Sequence, residues 1–397
     1  NMIWDLTIIG GGPVGSFAGY LAGKNNIKTL IIEEHSKIGE PLHCLGKLSI
    51  HAFEEFPLPK ESIRNSLKGG YFFFPNGNFI KLKKSKPDSY ILDRSLFDKN
   101  MAELAGKNGC TLLLSAKAIG IEIENEATRL IIEEKNRRRK IEAKVIINAE
   151  GAKRQFAKRL GLKPNPYLVS LQYEVIGLEL LDKECVEVYL GSTYSKGFFL
   201  WVSPYGNLTK IGVAVQPNEN PKIFLDKFLN NLKKTRNSGI EIIKSYGGII
   251  PILGPYEEYY YPNILIVGDA AGYNKSTTGG GIYFGLQGAQ IAIEQVKKYL
   301  EDNNINHLKT FPKLTYKKFG KELKFTKIVR KFLNQLSDSD LNEIYKIINS
   351  EEIIRNIENF GDTAYQTSVL KTIPNLLKNK EFYKLSKFTP KILKSIF

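Results

Sequence analysis

The order of apolar and polar positions at the start of the chain predicts a strand, a glycine-rich turn, a helix and a second strand. A short apolar run leads into the turn that begins at Gly10, and a second run, residues 28–32, ends at Glu33. Strands that are buried on both faces read as continuous apolar runs rather than as alternating ones. We therefore predict a β–α–β unit within residues 2–50.

Further along, the pattern predicts alternating strands and helices and then helices alone. Strict alternation of apolar and polar positions indicates a strand, and apolar positions every three to four residues indicate a helix. The predicted strands cover 71–82 as a hairpin, 122–142 as a charged hairpin, 144–148, 168–180, 187–190, 198–202, 210–215 and 263–269. The predicted helices cover 97–108, 221–235 and the chain from about residue 285 onward, and a further strand is predicted directly after Gly109. The domains are therefore interleaved rather than arranged in series.

The glycine turn carries the first chemical signal. Gly10, Gly12 and Gly15 satisfy G-x-G-x-x-G, and Glu33 follows about 20 residues later, at the end of the second predicted strand. In such a motif the first glycine permits the tight turn and the second lets a pyrophosphate approach the backbone. The third lets the helix pack on the strand, and the acid binds a ribose. We therefore predict dinucleotide binding.

A second signal lies at the end of the predicted strand 263–269. Gly268 and Asp269 end this strand, and a glycine run then opens a helix. An acid at the carboxyl end of a strand suits a sugar hydroxyl. The successive N–H groups of Gly280, Gly281 and Ile282 suit a phosphate or the electron-rich edge of a ring.

Composition excludes several classes of protein. No apolar run reaches the ~18 residues of a membrane span, and no signal peptide precedes the first strand. Cys44, Cys110 and Cys185 are too few and too scattered for a disulfide framework or a metal cluster, so we expect a cytoplasmic setting and no metal. No recognised nucleic-acid motif accompanies the net charge of +16, so we expect no nucleic-acid partner.

The excess of positive charge is concentrated in the last quarter of the chain. Residues 309–397 hold 18 Lys and Arg against 9 Asp and Glu, in segments that alternate lysine with Leu, Ile and Phe. Basic amphipathic helices either pack on the domain beneath them or lie on an anionic membrane surface. Both interpretations stay open at this point, the second as a peripheral contact at the inner membrane surface.

Three blocks of this sequence resemble those of a known family. Residues 5–33, 90–98 and 264–282, in this order and spacing, are similar to the FAD-binding blocks of the flavoprotein hydroxylase fold. Within that fold the chain resembles the geranylgeranyl reductase family, which includes the archaeal digeranylgeranylglycerophospholipid reductases.

Two further segments favour this branch of the fold. Residues 39–49 match the family's cysteine-containing loop at Cys44. Residues 199–204 match its Y-x-W-x-F-P stretch at Trp201 and Pro204. The resemblance covers about residues 2–300, and the rest of the chain matches only in being helical.

The resemblance implies that FAD is the cofactor and indicates which residues contact it. The backbone around Val14 would hold the pyrophosphate, Glu33 the adenosine ribose and the backbone of Ala118 the adenine. Arg94 would contact the phosphate or ribityl region, and Asp269 the ribityl chain. The implied contacts are Gly10, Gly12, Pro13, Val14, Gly15, Glu33, Arg94, Ala118 and Asp269, with Cys44, Leu45 and Lys47 along the flavin and Gly280, Gly281 and Ile282 at its pyrimidine edge.

The resemblance also implies how the chain divides. The expected fold class is α/β (α+β), with a Rossmann-like FAD-binding domain over 2–70, 92–160 and 260–302. An antiparallel-sheet substrate domain over 71–91 and 161–259 is interleaved with it, and residues 303–397 form a helical C-terminal region.

The implied reaction is the hydrogenation of carbon–carbon double bonds in geranylgeranyl or other polyprenyl chains by hydride transfer from N5 of the reduced flavin. The substrate would be an isoprenoid lipid: an archaeal lipid precursor, a prenyl quinone or a prenyl diphosphate. Because one G-x-G-x-x-G alone follows a predicted strand, the electrons would come from a transient donor, NAD(P)H or a reduced ferredoxin.

An isolated alkene is a poor electrophile, so such a site must exclude water and hold the double bond close to the flavin. Phe199 and Trp201 share one face of a predicted strand and match the family stretch, so we predict that they position the substrate. Cys44 is the predicted catalytic or flavin-tuning thiol, although a free cysteine often serves only as a small apolar residue.

Five positions depart from the family pattern. Glu150 replaces an aspartate, Ser276 a proline, Leu45 a glycine, and Phe199 and Ser203 replace a tyrosine and a phenylalanine. FAD binding is compatible with all five, whereas the identity of the substrate does not transfer. An aromatic monooxygenase of the same fold and a non-catalytic flavin- or lipid-binding protein therefore stay open as alternatives.

Several titratable residues have no assigned role. His35, His51 and His307 show no partner spacing and are expected to be surface or core residues. Tyr205 and the tyrosines at 259–261 are candidate proton donors, with packing as the alternative role.

Overall fold

The computed structural model describes residues 3–124, 127–236, 239–256, 263–376 and 382–396. Its strands are β1 Ile3–Ile9, β2 Thr29–Ile32, β3 Lys47–Ser49, β4 Ile63–Leu67, β5 Gly69–Phe73, β6 Phe79–Lys83, β7 Ser89–Leu92, β8 Thr111–Leu113, β9 Ala116–Glu124, β10 Ala127–Glu134, β11 Arg137–Asn148, β12 Tyr167–Ile176, β13 Cys185–Tyr189, β14 Leu200–Tyr205, β15 Leu208–Val215, β16 Glu241–Pro251 and β17 Ile264–Ile266. Its α-helices are α1 Pro13–Lys24, α2 Ile50–Glu55, α3 Arg94–Lys107, α4 Gln155–Arg159, α5 Pro221–Thr235, α6 Ile282–Asp302, α7 Asn306–Thr315, α8 Lys321–Leu333, α9 Asp338–Ile348, α10 Glu351–Phe360, α11 Ile373–Leu376 and α12 Thr389–Ile396.

The chain divides into two compact units, each made of three segments. Unit 1 comprises Asn1–Leu42, Arg94–Pro166 and Pro251–Lys324. Unit 2 comprises His43–Asp93, Tyr167–Ile250 and Phe325–Phe397. Both units are thus discontinuous. Their bounds differ from the expected ones at residues 43–70, which fall within unit 2, and in the C-terminal region, of which residues 303–324 fall within unit 1 and residues 325–397 within unit 2.

Hydrogen bonds explain this difference. β3 and β4 both pair with β7 in a three-stranded antiparallel sheet, so residues 43–70 are joined to the segment that follows them. In the C-terminal region, the Asp338 carboxylate accepts hydrogen bonds from the backbone N–H and the hydroxyl of Ser192, at 2.8 and 2.7 Å.

Unit 1 is built on a seven-stranded sheet with the order β8-β2-β1-β11-β10-β9, in which β17 also pairs with β11. β8, β2, β1, β11 and β17 are parallel, and β9 and β10 extend the sheet in antiparallel fashion. The predicted β–α–β unit and the charged hairpin are confirmed, and the predicted strand 144–148 is the second half of β11. β2 and the second halves of β1 and β11 are buried, which agrees with their continuous apolar runs.

Glycines allow α6 and the segment that follows β17 to approach one side chain at the start of α1. A Cβ atom at Gly285 in α6 would lie 2.5 Å from Cγ2 of Val14, and one at Gly268 would lie 3.4 Å from either of its Cγ atoms. Val14 therefore fixes the start of α1 against α6 and the end of β17.

Unit 2 is built on a second seven-stranded sheet with the order β16-β12-β15-β14-β13-β5-β6. One face packs on α5 through an apolar cluster that includes Val175, Val202, Ile211, Val213 and Phe228. The predicted 71–82 hairpin is β5 and β6, and the predicted strands between residues 168 and 215 correspond to β12–β15.

The pattern missed four strands: β3, β4, β7 and β16. The first three contain three to five residues each, too few to establish a period. β16 contains Gly247 and Gly248, and its first five residues are exposed, so it lacks the apolar face of a typical strand.

From Ile282 onward the described chain is helical and contains no strand, as predicted. No described helix is long and apolar enough to cross a membrane.

The glycine contact at Val14 gives a stability test. Gly285→Ala places a methyl group 2.5 Å from Val14 Cγ2, so we expect a loss of about 1–3 kcal/mol and a lower melting temperature. The matched control is Gly106→Ala in α3, where a Cβ would meet no described atom within 4 Å and should gain about 0.5–1 kcal/mol. Equal melting temperatures of the two variants would contradict this packing.

Candidate active site

The glycine turn of unit 1 has the geometry that anion binding requires. Gly10 has a φ of +102°, and a Cβ there would lie 2.4 Å from the carbonyl oxygen of Ala149. A Cβ at Gly15 would lie 2.0 Å from the carbonyl oxygen of Gly10, whereas one at Gly12 would meet no described atom within 4 Å. Gly12 is the N-cap of α1 and Pro13 its first residue, and no described side chain caps this end. The first N–H groups of α1 are therefore left for a ligand.

Glu33 closes the turn from the end of β2. Its Oε2 accepts a hydrogen bond from the backbone N–H of Gly11 at 2.7 Å. Its Oε1 accepts one from the backbone N–H of His35 at 2.9 Å and lies 2.6 Å from Nδ1 of the His35 ring. The turn after β2 therefore brings the His35 ring back to Glu33, a pairing that the sequence spacing did not indicate.

The other two histidines also have partners. Nε2 of His51 lies 2.8 Å from Asp362 and its Nδ1 lies 3.0 Å from Glu54. Nε2 of His307 lies 2.9 Å from Asp302. The 51–362 pair joins segments 311 residues apart, which no local spacing could indicate.

Arg94 lies in the first turn of α3 and is buried. Its Nε and Nη2 donate to the two carboxylate oxygens of Asp98, at 3.0 and 2.9 Å. This bidentate pair, one helical turn apart, fixes the orientation of the guanidinium.

The loop after β17 brings an acid against the glycine run. A Cβ at Gly281 would lie 2.7 Å from Oδ1 of Asp269 and 2.9 Å from Cβ of Asn274, so only glycine fits there. Burial raises the pKa of Asp269 to about 6, and the positive charge of Arg94 opposes this shift. Gly281 is also the N-cap of α6, whose end no described side chain caps.

Two further polar residues of this loop were not predicted as site residues. The buried side chain of Asn274 donates from Nδ2 to the carbonyl of Pro251, and its Oδ1 has no hydrogen-bond partner among the described residues. The Ser276 hydroxyl accepts a hydrogen bond from the backbone N–H of Leu253 at 2.9 Å. Serine therefore holds the neighbouring loop through a bond that the proline expected here could not make.

The residues of unit 1 fit FAD. The open space at Gly12, the uncapped ends of α1 and α6, and the orphaned buried oxygen of Asn274 each leave hydrogen-bonding capacity for a ligand. The predicted adenine contact, Ala118, lies on β9, opposite Ile132 and next to a bulge in the β9–β10 pairing. Ala118 is thus in the same unit as Glu33, Arg94 and Asp269.

The remaining predicted cofactor residues are in unit 2. Cys44 is half-buried, and its Sγ accepts a hydrogen bond from the backbone N–H of Gly46 at 3.4 Å. Cys110 and Cys185 are buried, which raises the pKa of each thiol to about 11. Lys47 begins β3, and burial lowers the pKa of its ammonium. Cys44 is therefore the most accessible of the three thiols.

Phe199 and Trp201 meet on one face of unit 2, as predicted. Their ring centroids are 6.0 Å apart in an edge-to-face arrangement, and Phe199 also stacks on Phe198 at 4.2 Å. The indole lies flat over Gly212, where a Cβ would come within 2.3 Å of it.

Of the candidate proton donors, Tyr205 lies within the described part of the chain. Burial raises the pKa of Tyr205 to about 12, with the negative charges of Asp93 and Glu174 adding to the shift, so this hydroxyl is a weaker acid than a free tyrosine. The tyrosines at 259–261 lie outside the described residues.

The pKa of Asp269 leads to a prediction for the FAD-free protein. Because burial raises this pKa to about 6 from its ordinary value of 3.8, the folded state binds a proton that the unfolded chain has released. The stability from this proton is present at low pH and is lost as the pH rises through about 6. We expect Asp269→Asn to flatten the fall in melting temperature between about pH 4 and about pH 7. Parallel curves for the two proteins would contradict this.

Comparisons with known proteins agree with this geometry. Residues 5–152 match the FAD dependent oxidoreductase family. The chain is 32% identical over 388 residues to the digeranylgeranylglycerophospholipid reductase of Methanocaldococcus jannaschii, covering 95% of this chain and 97% of that one. It is 33% identical over 381 residues to an uncharacterized protein of the same organism, covering 94% and 95%.

Among solved structures, a geranylgeranyl bacteriochlorophyll reductase-like protein of Thermoplasma acidophilum superimposes with a TM-score of 0.85 at 27% identity, covering 97% of this chain and 99% of that one. The matches with both reductases extend over nearly the full length of each chain, including the C-terminal region that the sequence motifs did not reach. The chain is therefore an FAD-dependent oxidoreductase that belongs to the family of the digeranylgeranylglycerophospholipid reductases.

Proposed function

We propose that this protein reduces carbon–carbon double bonds in the geranylgeranyl chains of an isoprenoid lipid. The observation that carries the proposal is the aromatic face of unit 2, where Phe199 and Trp201 meet edge to face on the sheet that also bonds to the cysteine loop. The name of the Methanocaldococcus jannaschii relative supports the same substrate class.

The proposed FAD contacts in unit 1 are those that the family resemblance implies, and the uncapped ends of α1 and α6 support them. The glycine turn Gly10–Gly15 and the first backbone N–H groups of α1, from Val14 onward, would hold the pyrophosphate. Pro13 is the first residue of that helix. Glu33 would hold the ribose and Asp269 the ribityl chain, with Arg94 and Ala118 at the phosphate and adenine. The backbone of Gly280, Gly281 and Ile282 would bond to the pyrimidine edge, and Cys44, Leu45 and Lys47 of unit 2 would lie along the ring system.

When bound and reduced, FAD supplies the hydride for one carbon of the double bond, and a proton completes the other. The residues of this chain would contribute by orienting the alkene and excluding water. The half-buried ring of Phe199 and the buried indole of Trp201 offer an apolar surface for a prenyl chain. We assign Cys44 a role as the thiol that faces the flavin, because it is the half-buried cysteine.

An anaerobic assay tests this function. The FAD-loaded protein is reduced with dithionite, and a lipid with geranylgeranyl chains is added. We expect flavin reoxidation together with a gain of two hydrogens per reduced double bond in the lipid. Trp201→Ala should slow reoxidation by roughly tenfold or more, because the chain loses a positioning surface.

Matched controls separate the alternatives. A lipid with saturated chains should leave the flavin reduced. Reoxidation only after oxygen and an aromatic substrate are added would favour the monooxygenase, and no reoxidation under any condition would favour a binding protein without turnover. Replacing dithionite with NADPH, NADH or a reduced ferredoxin then identifies the electron donor.

We also propose a peripheral contact with anionic membranes through α12. This helix exposes Ile392, Leu393 and Ile396 beside the exposed Lys394. Its opposite side is held in unit 2, where Gln335 donates to the buried Ser395 hydroxyl at 2.7 Å. An apolar surface flanked by lysine on one side of a helix suits an interface of anionic head groups.

Vesicle sedimentation tests this contact. We expect the protein to bind vesicles of phosphatidylglycerol but not vesicles of phosphatidylcholine, and to be released as salt rises. Leu393→Asp should weaken binding by roughly tenfold, because it puts a charge in the apolar surface. Ile223→Asp, at an even more exposed apolar residue, in α5, should leave binding unchanged. Equal losses in both variants would contradict a role specific to α12.

A further inference from the structure

A chain of polar side chains crosses the sheet of unit 2 on the face opposite α5. Its five members lie on four strands: Gln172 and Glu174 on β12, Trp201 on β14, Lys210 on β15 and Tyr246 on β16. The strand register explains why they meet. Glu174 is paired with Lys210, and Gly212 is paired with both Gln172 and Trp201.

One end of the chain holds the indole of Trp201. Its Nε1 donates to Oε1 of Gln172 at 2.9 Å, and Nε2 of Gln172 donates to the hydroxyl of Tyr246 at 2.8 Å. That hydroxyl donates to Oε1 of Glu174 at 2.8 Å. Burial raises the pKa of Tyr246, with Glu174 adding to the shift, so the hydroxyl keeps its proton. In each hydrogen bond of this series the donor and the acceptor are therefore fixed. The series as a whole holds the ring plane of Trp201 in place.

The other end holds the cysteine loop. Lys210 is 1% exposed, and its Nζ lies 4.0 Å from Oε1 of Glu174 and 3.8 Å from the centroid of the Tyr205 ring. The same ammonium donates to the carbonyl oxygen of Leu45 at 3.2 Å. The side chain of Leu45 packs against the apolar cluster that contains Leu67. Leu45, which follows Cys44 directly, is thus held by both its carbonyl and its side chain.

Burial of these charges is costly, and the fold does not need them for packing. A buried ion pair contributes little net stability because each charge loses its hydration. The opposite face of the same strands is filled by apolar residues such as Val175, Ile211 and Val213. Apolar side chains therefore suffice to pack this sheet, and the polar face calls for a different explanation.

We infer that Glu174 and Lys210 form the centre of one positioning device that holds the Cys44 loop and the indole of Trp201 in a fixed arrangement. Neither residue is assigned contact with the substrate. The functional consequence rests on the proposed roles of Cys44 and Trp201. The physical linkage between the two ends does not rest on those proposed roles, so the experiment tests it without any substrate.

The experiment compares Lys210→Met, Glu174→Gln and the double variant, all with FAD bound and in a Trp4→Phe background. Of the two tryptophans in the chain, Trp201 is then the one that remains, so the emission spectrum reports on one end of the device. The rate at which a maleimide labels Cys44 reports on the other end. Each single variant removes one charge of the pair and leaves the opposite charge buried, whereas the double variant removes both charges.

We expect both single variants to change both readouts, with Cys44 labelling about fivefold faster in each. The double variant should recover most of the melting temperature that the single variants lose, yet keep the fast labelling and the shifted Trp201 emission. If the proposed reaction is also measured, kcat should fall in all three variants while KM stays nearly constant.

The control is Tyr173→Phe, which removes the 2.6 Å hydrogen bond to Asp226 from the opposite face of β12. It should leave labelling and emission unchanged. Two results would overturn the inference. The first is a double variant in which Cys44 labelling and Trp201 emission return to the starting values together with the melting temperature. The second is a pair of single variants of which each changes only one of these two readouts. Failure of the reductase assay alone would leave the linkage standing and would count against the proposed function instead.

Discussion

The contact between Gly10 and Gly15 is the constraint on which unit 1 depends. A Cβ at Gly15 would lie 2.0 Å from the carbonyl oxygen of Gly10, so α1 begins against the end of β1 at a distance that only glycine permits. No described side chain caps the first turn of α1 at this point. The close approach also places Val14 where α6 and the end of β17 pack around it. The anion-binding end of one helix and the glycine run that opens the other are therefore fixed by the same packing.

Unit 2 uses the two faces of one sheet for different purposes. The face toward α5 is a conventional apolar core, built from alternate residues of β12, β14 and β15. The other face carries aromatic residues together with a buried lysine, glutamate and glutamine and a half-buried tyrosine, joined by hydrogen bonds. Removing one partner from such a network leaves a buried charge or dipole without compensation. The polar face therefore permits few arrangements, which is the property that an orienting surface requires.

Local sequence patterns were reliable where one short segment contains all the information. The glycine spacing from Gly10 to Gly15, the acid Glu33 at a strand end and the i, i+2 relation of Phe199 and Trp201 are each local. The predicted secondary structure is confirmed in the same places. The prediction was incomplete where partners come from distant segments. His51 bonds to Asp362, and the short strands β3 and β4 each form by pairing with β7.

The sequence by itself therefore determined the dinucleotide-type turn, the interleaving of two domains and the family to which the motifs point. Backbone sterics at glycine and the periodicity of apolar residues act over a few positions, so a short stretch of sequence is enough to recognise them. The tertiary structure alone decided which side chains share a buried environment. The ammonium of Lys210 meets a carbonyl 165 positions away, because strand register and the route of the chain between segments place them together. The pKa of Asp269 and the orientation of Trp201 likewise depend on desolvation and on neighbours that no local pattern records.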